Sequence, residues 1–406
     1  MQDSQGMLWI VIPAGQQANG GWIDDTLRER AREQGLTAQA PLTGEFPRQR
    51  VEPVAGPDAE ARARDLFTRR GWTDGLPVVA PTAARVKNMI RFSDRKATDV
   101  LGEVDPLRGL ATIEKLAANA VMAGCRPEYF PVVLAAVEAV LDPAFNMNGV
   151  QTTDENVAPM IIVNGPIARE LNINSSFGAL GPGWQANATI GRALRLIMLN
   201  LGGGRPGTVS FAGIGQPGRY TLCIAENEEM SPWPPLHTEA GLAAETNAVT
   251  ITRVESTINV TGGVEEIASV MGTAASAFQI MWSGRPTIII APATASRLAQ
   301  QGMSKDDVRR WLFDNGQWPA VQWHKSWFKS QLVKEGNWPE WVERAALGGA
   351  IPATEKPEDI IIVVAGGDVP IAQQVYAPSW GFPPARITRE ISLPDGWPEL
   401  IANEAN

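Results

Sequence analysis

Beyond about residue 240 the sequence switches back and forth between two periodicities, and this alternation restricts the folds open to the chain more than any other feature. "AVTITRV" and "STINV" read as strands, "VEEIASVMGTAASAF" as a helix, "TIIIAP" as a strand, then two short helices, then the strand "DIIIVVAGG". Short β-branched runs separated by helical patterns mark an α/β fold, with helices covering mixed or mostly parallel sheets. The same pattern occurs upstream. "APMIIVNGP" is a strand, and Ile190, Leu194, Ile197, Met198 and Leu201 share one face of an amphipathic helix. "YTLCIA" is apolar on both faces, which predicts a central strand of a covered sheet.

Three parts are expected: an N-terminal strand, charged helix and extended arm over 1–57, an α/β domain over 58–240, and a second α/β domain over 241–406. The arm is rich in proline and glycine and has no periodicity. From Asp58 a helix runs to Gly71, followed by "WTDGLPVVAPT", with a turn at Asp74 and Gly75 before a short strand. Thr112 can cap a helix that Gly124 ends, and Pro131 can open another that reaches Leu141. Ser304 and Asp307 form a capping-box start. No internal repeat is visible.

Of 406 residues, 44% are hydrophobic, enough for a sizeable core in each domain. The net charge is −9 and no basic run exceeds two residues, which argues against nucleic acid and anionic membranes as partners. No apolar run is long enough to span a bilayer, and "MLWIVIPAG" lacks a basic lead, so a cytoplasmic protein is expected. The expected partners are a small-molecule substrate and further copies of the chain. Two cysteines, Cys125 and Cys223, and two histidines, His237 and His324, exclude a disulfide framework and leave little for a transition metal. Any metal is expected to be a hard divalent cation held by oxygens. The literal G-x-G-x-x-G at 213–218 leads into a strand and contains Pro217, so it is no dinucleotide fingerprint.

The most distinctive chemistry lies in "CIAENEEMSPWPPLH", where an apolar strand ends in three acids, followed by three prolines and His237. Strand alternation puts Glu226 and Glu228 on one face and Asn227 and Glu229 on the other, beyond the strand's carboxyl end, where α/β sheets bind ligands. Crowded carboxylates raise one another's pKa toward general-acid range, and the prolines hold His237 at a defined distance. A solvated loop is the competing reading. Cys125 lies between two helices whose dipoles oppose each other, so its reactivity stays open between nucleophile and buried core residue. Gly183, Asn187 and Arg192 sit where the Gly/Asn loop "GPGWQAN" enters a helix, a geometry that suits an anionic group but also an ordinary helix start. Six of fourteen tryptophans fall between Trp311 and Trp341, as core, subunit interface or pocket wall.

The runs "GWTDGLPVVAPT", "ANAVMAGCRPEYFPVV", "CIAENEEMSPWPPLH" and "IIVVAGG" together resemble bacterial proteins associated with the UGSC family, over most of residues 70–370. The resemblance implies a bacterial enzyme or enzyme partner. The family's namesake motif is absent here, so its redox chemistry does not carry over. Three functions are weighed on these residues. The first is a lyase, hydratase or hydrolase using carboxylate acid/base chemistry at 226–237. The second is a thiol redox enzyme, or redox partner, centred on Cys125. The third is a non-catalytic assembly subunit.

Overall fold

A computed structural model of the chain describes residues 58–332, 339–369 and 371–404; the features expected over residues 1–57, and Trp338, lie outside them. Strands β1 (Val100–Val104) and β2 (Gly109–Thr112) form a small hairpin. The first of two four-stranded sheets contains β3 (Ala158–Asn164), β4 (Cys223–Ala225) and β5 (Ala248–Val254). The second contains β6 (Ile258–Thr261), β7 (Thr287–Ile290), β10 (Ile361–Val364) and β11 (Gln373–Ala377), and between them in sequence β8 (Gln317–Pro319) pairs with β9 (Ala350–Pro352). β12 (Ile387–Glu390) returns to the first sheet, which runs β12-β5-β3-β4, while the second runs β10-β7-β11-β6.

The unbroken apolar runs are explained by how these sheets stack. In β3, Ile161 and Val163 face the helices Ile113–Ala123, Phe130–Val140 and Gln185–Asn200, whereas Met160 and Ile162 face Ile289, Ile361 and Val363 of the second sheet. In β7 and β10, Ile288, Ile290, Ile362 and Val364 point the other way, onto the helices Val264–Met271, Pro292–Gln300 and Lys305–Asn315. The architecture is four layers, helix, sheet, sheet, helix, so the central strands are covered on both faces, and β3, β7 and β10 are apolar on both. A hydroxyl pair crosses the inter-sheet layer, the Thr287 hydroxyl donating to that of Thr252 at 3.2 Å. The α/β expectation is met with mixed sheets. Only β3–β4 and β7–β10 are parallel among the described pairs.

The two sheets repeat one pattern. Reading β12-β5-β3-β4 and β6-β11-β7-β10, each gives antiparallel, antiparallel, parallel. This repeat is invisible in the sequence because the first sheet takes its outer strand from the far end of the chain. For the same reason the division expected near residue 240 does not separate the sheets: β5 and β12 lie beyond it and pair within the sheet of β3 and β4.

Local expectations hold where caps dictate them. Gly71 and Gly124 end their helices in the left-handed conformation, at φ 65° and 90°. The Thr112 side chain accepts from Lys115 N–H, and Ser304 with Asp307 closes a capping box. Two readings change. "GLPVVAPT" is not a strand; it begins in a bend and is tied by Val79 N–H to Met122 O. The expected helix over 264–278 breaks into Val264–Met271, a 3-10 turn and Ala277–Met281, with Gly272 at the break, where it lies against Gln317 and admits no side chain. In the Trp-rich segment, Trp318 and Trp323 pack edge to face at 4.9 Å in a small core with Phe328, while Trp327 is 67% exposed and His324 and Lys325 lie on the exposed face. Among the described residues no single helix is long and apolar enough to cross a membrane.

Candidate functional site

β3 and β4 run parallel and end side by side, Val163 opposite Ala225, with Glu226 N–H donating to Val163 O at 3.0 Å. Whatever follows them projects into the space beyond their carboxyl ends. There Asn164, fully buried, donates through Nδ2 to Glu226 Oε2 and to Glu228 Oε1, both at 2.7 Å. Gly165 N–H gives Glu228 Oε1 a second donor at 2.8 Å. Gly165 is required here: its φ is +88°, and a Cβ would fall 2.6 Å from Thr246 O. The expectation that Glu226 and Glu228 share one side is thus met through a single amide that holds both.

The two acids nevertheless differ in kind. Glu226 has no side-chain exposure. Its Oε2 also accepts from Leu236 N–H at 2.7 Å, and its Oε1 stands 3.9 Å from Lys305 Nζ. Burial raises its pKa, against the opposing pull of Lys305, the Leu236 N–H and Asn164, and Glu228 adds to the rise. Lys305 is itself buried, donating to Pro234 O at 2.7 Å and to Glu239 Oε1 at 3.4 Å. Arg309 and Arg386 complete the Glu239 cluster at 2.6 and 2.7 Å. The proline segment therefore has a definite task. It arches away from Glu226 and returns, so that Leu236 N–H bonds the acid and Pro234 O bonds the cation beside it.

Glu228 is half-buried and lines a cavity of about 410 Å³ with Gly165, Arg169, Ser175, Asn227, Glu229 and Glu245, and the fully buried Glu226 stands in its wall. Arg169 pairs with Glu229 at the exposed rim. Asn227 is fixed by its backbone, N–H to Val364 O at 2.7 Å, and its Oδ1 accepts from Met230 N–H. That bond ties the carboxyl end of β4 to that of β10. Contrary to the expectation of a central position, β4 is an edge strand whose two faces are covered, and apolarity on both faces does not distinguish the two cases. A second cavity of about 380 Å³, lined by Phe177, Leu180, Ile224, Ile289 and Gly366, lies across the 174–180 loop, whose Ser175 O accepts from Gly366 N–H.

The other expected site residues lie elsewhere. His237 is fully buried, its Nε2 2.9 Å from Ala243 O, and it does not line the cavity. Asn187 is a staple: its side chain bonds Asn174 N–H and the carbonyls of Asn174, Ala179 and Cys223, pinning the 174–179 loop to β4. Arg192 grips Asp74 through Nε and Nη2, both at 2.8 Å. Burial alone would raise Asp74, but the Arg192 hydrogen bond and charge outweigh it and hold the carboxyl low. Gly183 precedes the helix at φ +124° with open space around it. These residues build the loop and helix start without presenting an anion grip.

Cys125 belongs to the helical core, its Sγ–H donating to Thr189 O at 3.2 Å. Burial pushes its thiol up to about 12, and burial raises Cys223 as well. At roughly pH 8, where a free thiol near 8.5 is partly ionised, native protein is expected to take up no iodoacetamide at Cys125, and unfolded protein to label fully, as read by intact mass. Labelling of the native state at an exposed-thiol rate would contradict this burial.

Among the described residues no group of three or more His, Cys, Asp or Glu converges to hold a metal ion. A separate acidic group lies at the opposite end of the first sheet, next to the Ala158–Val254 pairing. Burial, reinforced by Glu155, lifts Glu255 to about 8, and burial with Asp154 lifts Glu155 to about 7. Both acids hold a proton more tightly in the folded than in the unfolded chain. Their stabilisation is complete below the unfolded carboxyl range, about 4.3, and is lost as pH rises through 7 and 8. Thermal melts are expected to fall over that window and to fall less in Glu255→Gln; an unchanged pH profile would rule out this coupling.

Sequence reasoning found Glu226, Asn227 and Glu228 but missed Asn164, Gly165, Arg169, Ser175 and Lys305. Only "NG" directly after a buried strand carried a local signal for the first two. No protein-family model matches this chain, and no curated protein matches it either.

Proposed function

We propose that the protein is a small-molecule enzyme of lyase, hydratase or hydrolase type in which Glu228 transfers the proton. One observation carries the reading: Glu228 Oε1 is fixed by Asn164 Nδ2 and Gly165 N–H while the residue lines the cavity beyond β3 and β4. With one oxygen held, the other is the one available to a bound molecule, which is how a general base or acid is oriented. Glu226, with its side chain out of solvent, takes a positioning role by sharing Asn164. Arg169 offsets Glu229 at the rim, so Glu245 and Glu228 leave the cavity acidic, which favours a substrate with hydrogen-bond donors or a positive group. The buried thiols give the redox reading no comparable support. The test is substrate-blind. Wild-type protein and Glu228→Gln are each incubated with a metabolite extract, and mass spectrometry identifies compounds consumed by the first and spared by the second. Identical consumption by both ends this reading.

A further inference from the structure

A second charged cluster lies at the opposite end of β4, away from the acidic cavity. The helix Gln185–Asn200 runs along the chain leading into β4. Asn187 bonds Cys223 O, and one turn later Gly191 packs on Thr221, where a Cβ would stand 2.3 Å from Oγ1. Arg195, a further turn along the same face, is close enough to Arg219 for the two charges to act on each other. Arg195 is 6% exposed, and its Nε and Nη2 are fully buried without a hydrogen-bond partner among the described residues. Arg219, half-buried, donates through Nη2 to the Ser210 hydroxyl at 2.8 Å, and Ser210 is itself 3% exposed.

We infer that Arg195, Arg219 and the Ser210 hydroxyl form a binding site for a small oxyanion, a carboxylate or phosphate group. A guanidinium stays charged in proteins, and burying one next to another with two donors unused is unfavourable unless an anion is shared between them. Such paired forks match the bidentate recognition of carboxylate and phosphate oxygens. Among the described residues no acid hydrogen-bonds either arginine. Asp74, whose charge acts on Arg195, is taken by two Arg192 nitrogens. Asp154, Glu155 and Glu255, at the same end of the sheet, make no hydrogen bond to either arginine among the described residues. Burial, followed by the Arg219 charge, pushes Arg195 down to about 9, and burial lowers Arg219 too, the electrostatic strain that an anion would relieve. Tyr220 and Phe211, each 49% exposed on the same stretch of chain, place the cluster close to solvent.

The experiment is a thermal melt of the full chain titrated with inorganic phosphate and, separately, with acetate, with ionic strength held constant by chloride. A saturable rise of about 3 °C is expected for at least one of the two anions. The larger response assigns the group as phosphate or carboxylate. In Arg195→Met the rise should disappear or need at least tenfold more anion, and the anion-free variant should melt no lower than wild type, since an uncompensated buried charge has been removed. If Arg195→Met does not fold, Arg219→Gln is read by the same loss of response. Wild-type protein indifferent to both anions, or variants that respond as wild type does, would overturn the site.

Discussion

Replacing Glu226 by leucine is expected to lower the unfolding free energy by about 2–5 kcal/mol, since two buried N–H donors lose their acceptor at about 1–3 kcal/mol each. The substitution strips the acceptor from Leu236 N–H and from one Asn164 N–H, and takes one acid away from Lys305, whose side chain is 7% exposed. Glu226→Gln keeps an oxygen for Leu236 and should cost only about 1 kcal/mol, the net worth of a hydrogen bond. Urea unfolding followed by circular dichroism distinguishes the two. Lys305 keeps Pro234 O and Glu239 when Glu226 is gone, so the double variant Glu226→Leu with Lys305→Met should recover little of the loss. Equal stability of Glu226→Leu and wild type would show that this acid does not latch the proline segment to the sheet.

The second large effect is kinetic. Glu228→Gln retains an oxygen that can accept from Asn164 and Gly165, so its stability should stay within about 1 kcal/mol of wild type. Its turnover of the substrate found by extract screening should fall about 10²- to 10⁴-fold, the usual contribution of a positioned proton-transfer group. Stopped-assay rates with saturating substrate give kcat, and a loss confined to KM would assign Glu228 to binding alone. The two acids thus separate by readout: stability for Glu226, chemistry for Glu228. A fall in turnover for Glu226→Gln of the same size as for Glu228→Gln would break that division of roles.

The acids themselves were legible because the pattern that marks β4, three apolar residues running into "ENEE", also fixes that they emerge at a carboxyl end. Their difference was not legible. It depends on Leu236 N–H and Lys305, ten and seventy-nine residues beyond Glu226, and on an asparagine sixty-two residues before it. His237 was misplaced for a related reason. Proline stiffness predicts that the chain stays extended, but the segment arches back so that its N–H and carbonyl groups meet Glu226 and Lys305, and the histidine is buried at the start of a 3-10 turn. Arg192 and Asn187 were read as ligand-facing because a helix start offers free N–H groups. Their actual partners, Asp74 and the 174–179 loop, come from other parts of the chain.

The sequence by itself determined the α/β class, the capped helix ends and the place where the acids leave β4, since these follow from side-chain period and backbone geometry over a few residues. The tertiary structure alone decided that two sheets stack face to face, that β12 completes the first of them, and that Glu226 is closed off from solvent at the wall of the cavity while Glu228 beside it is half-exposed. Hydrophobic patterning states that a strand face is covered without stating what covers it, and a carboxylate's role is set by the desolvation and donors that distant segments bring to it.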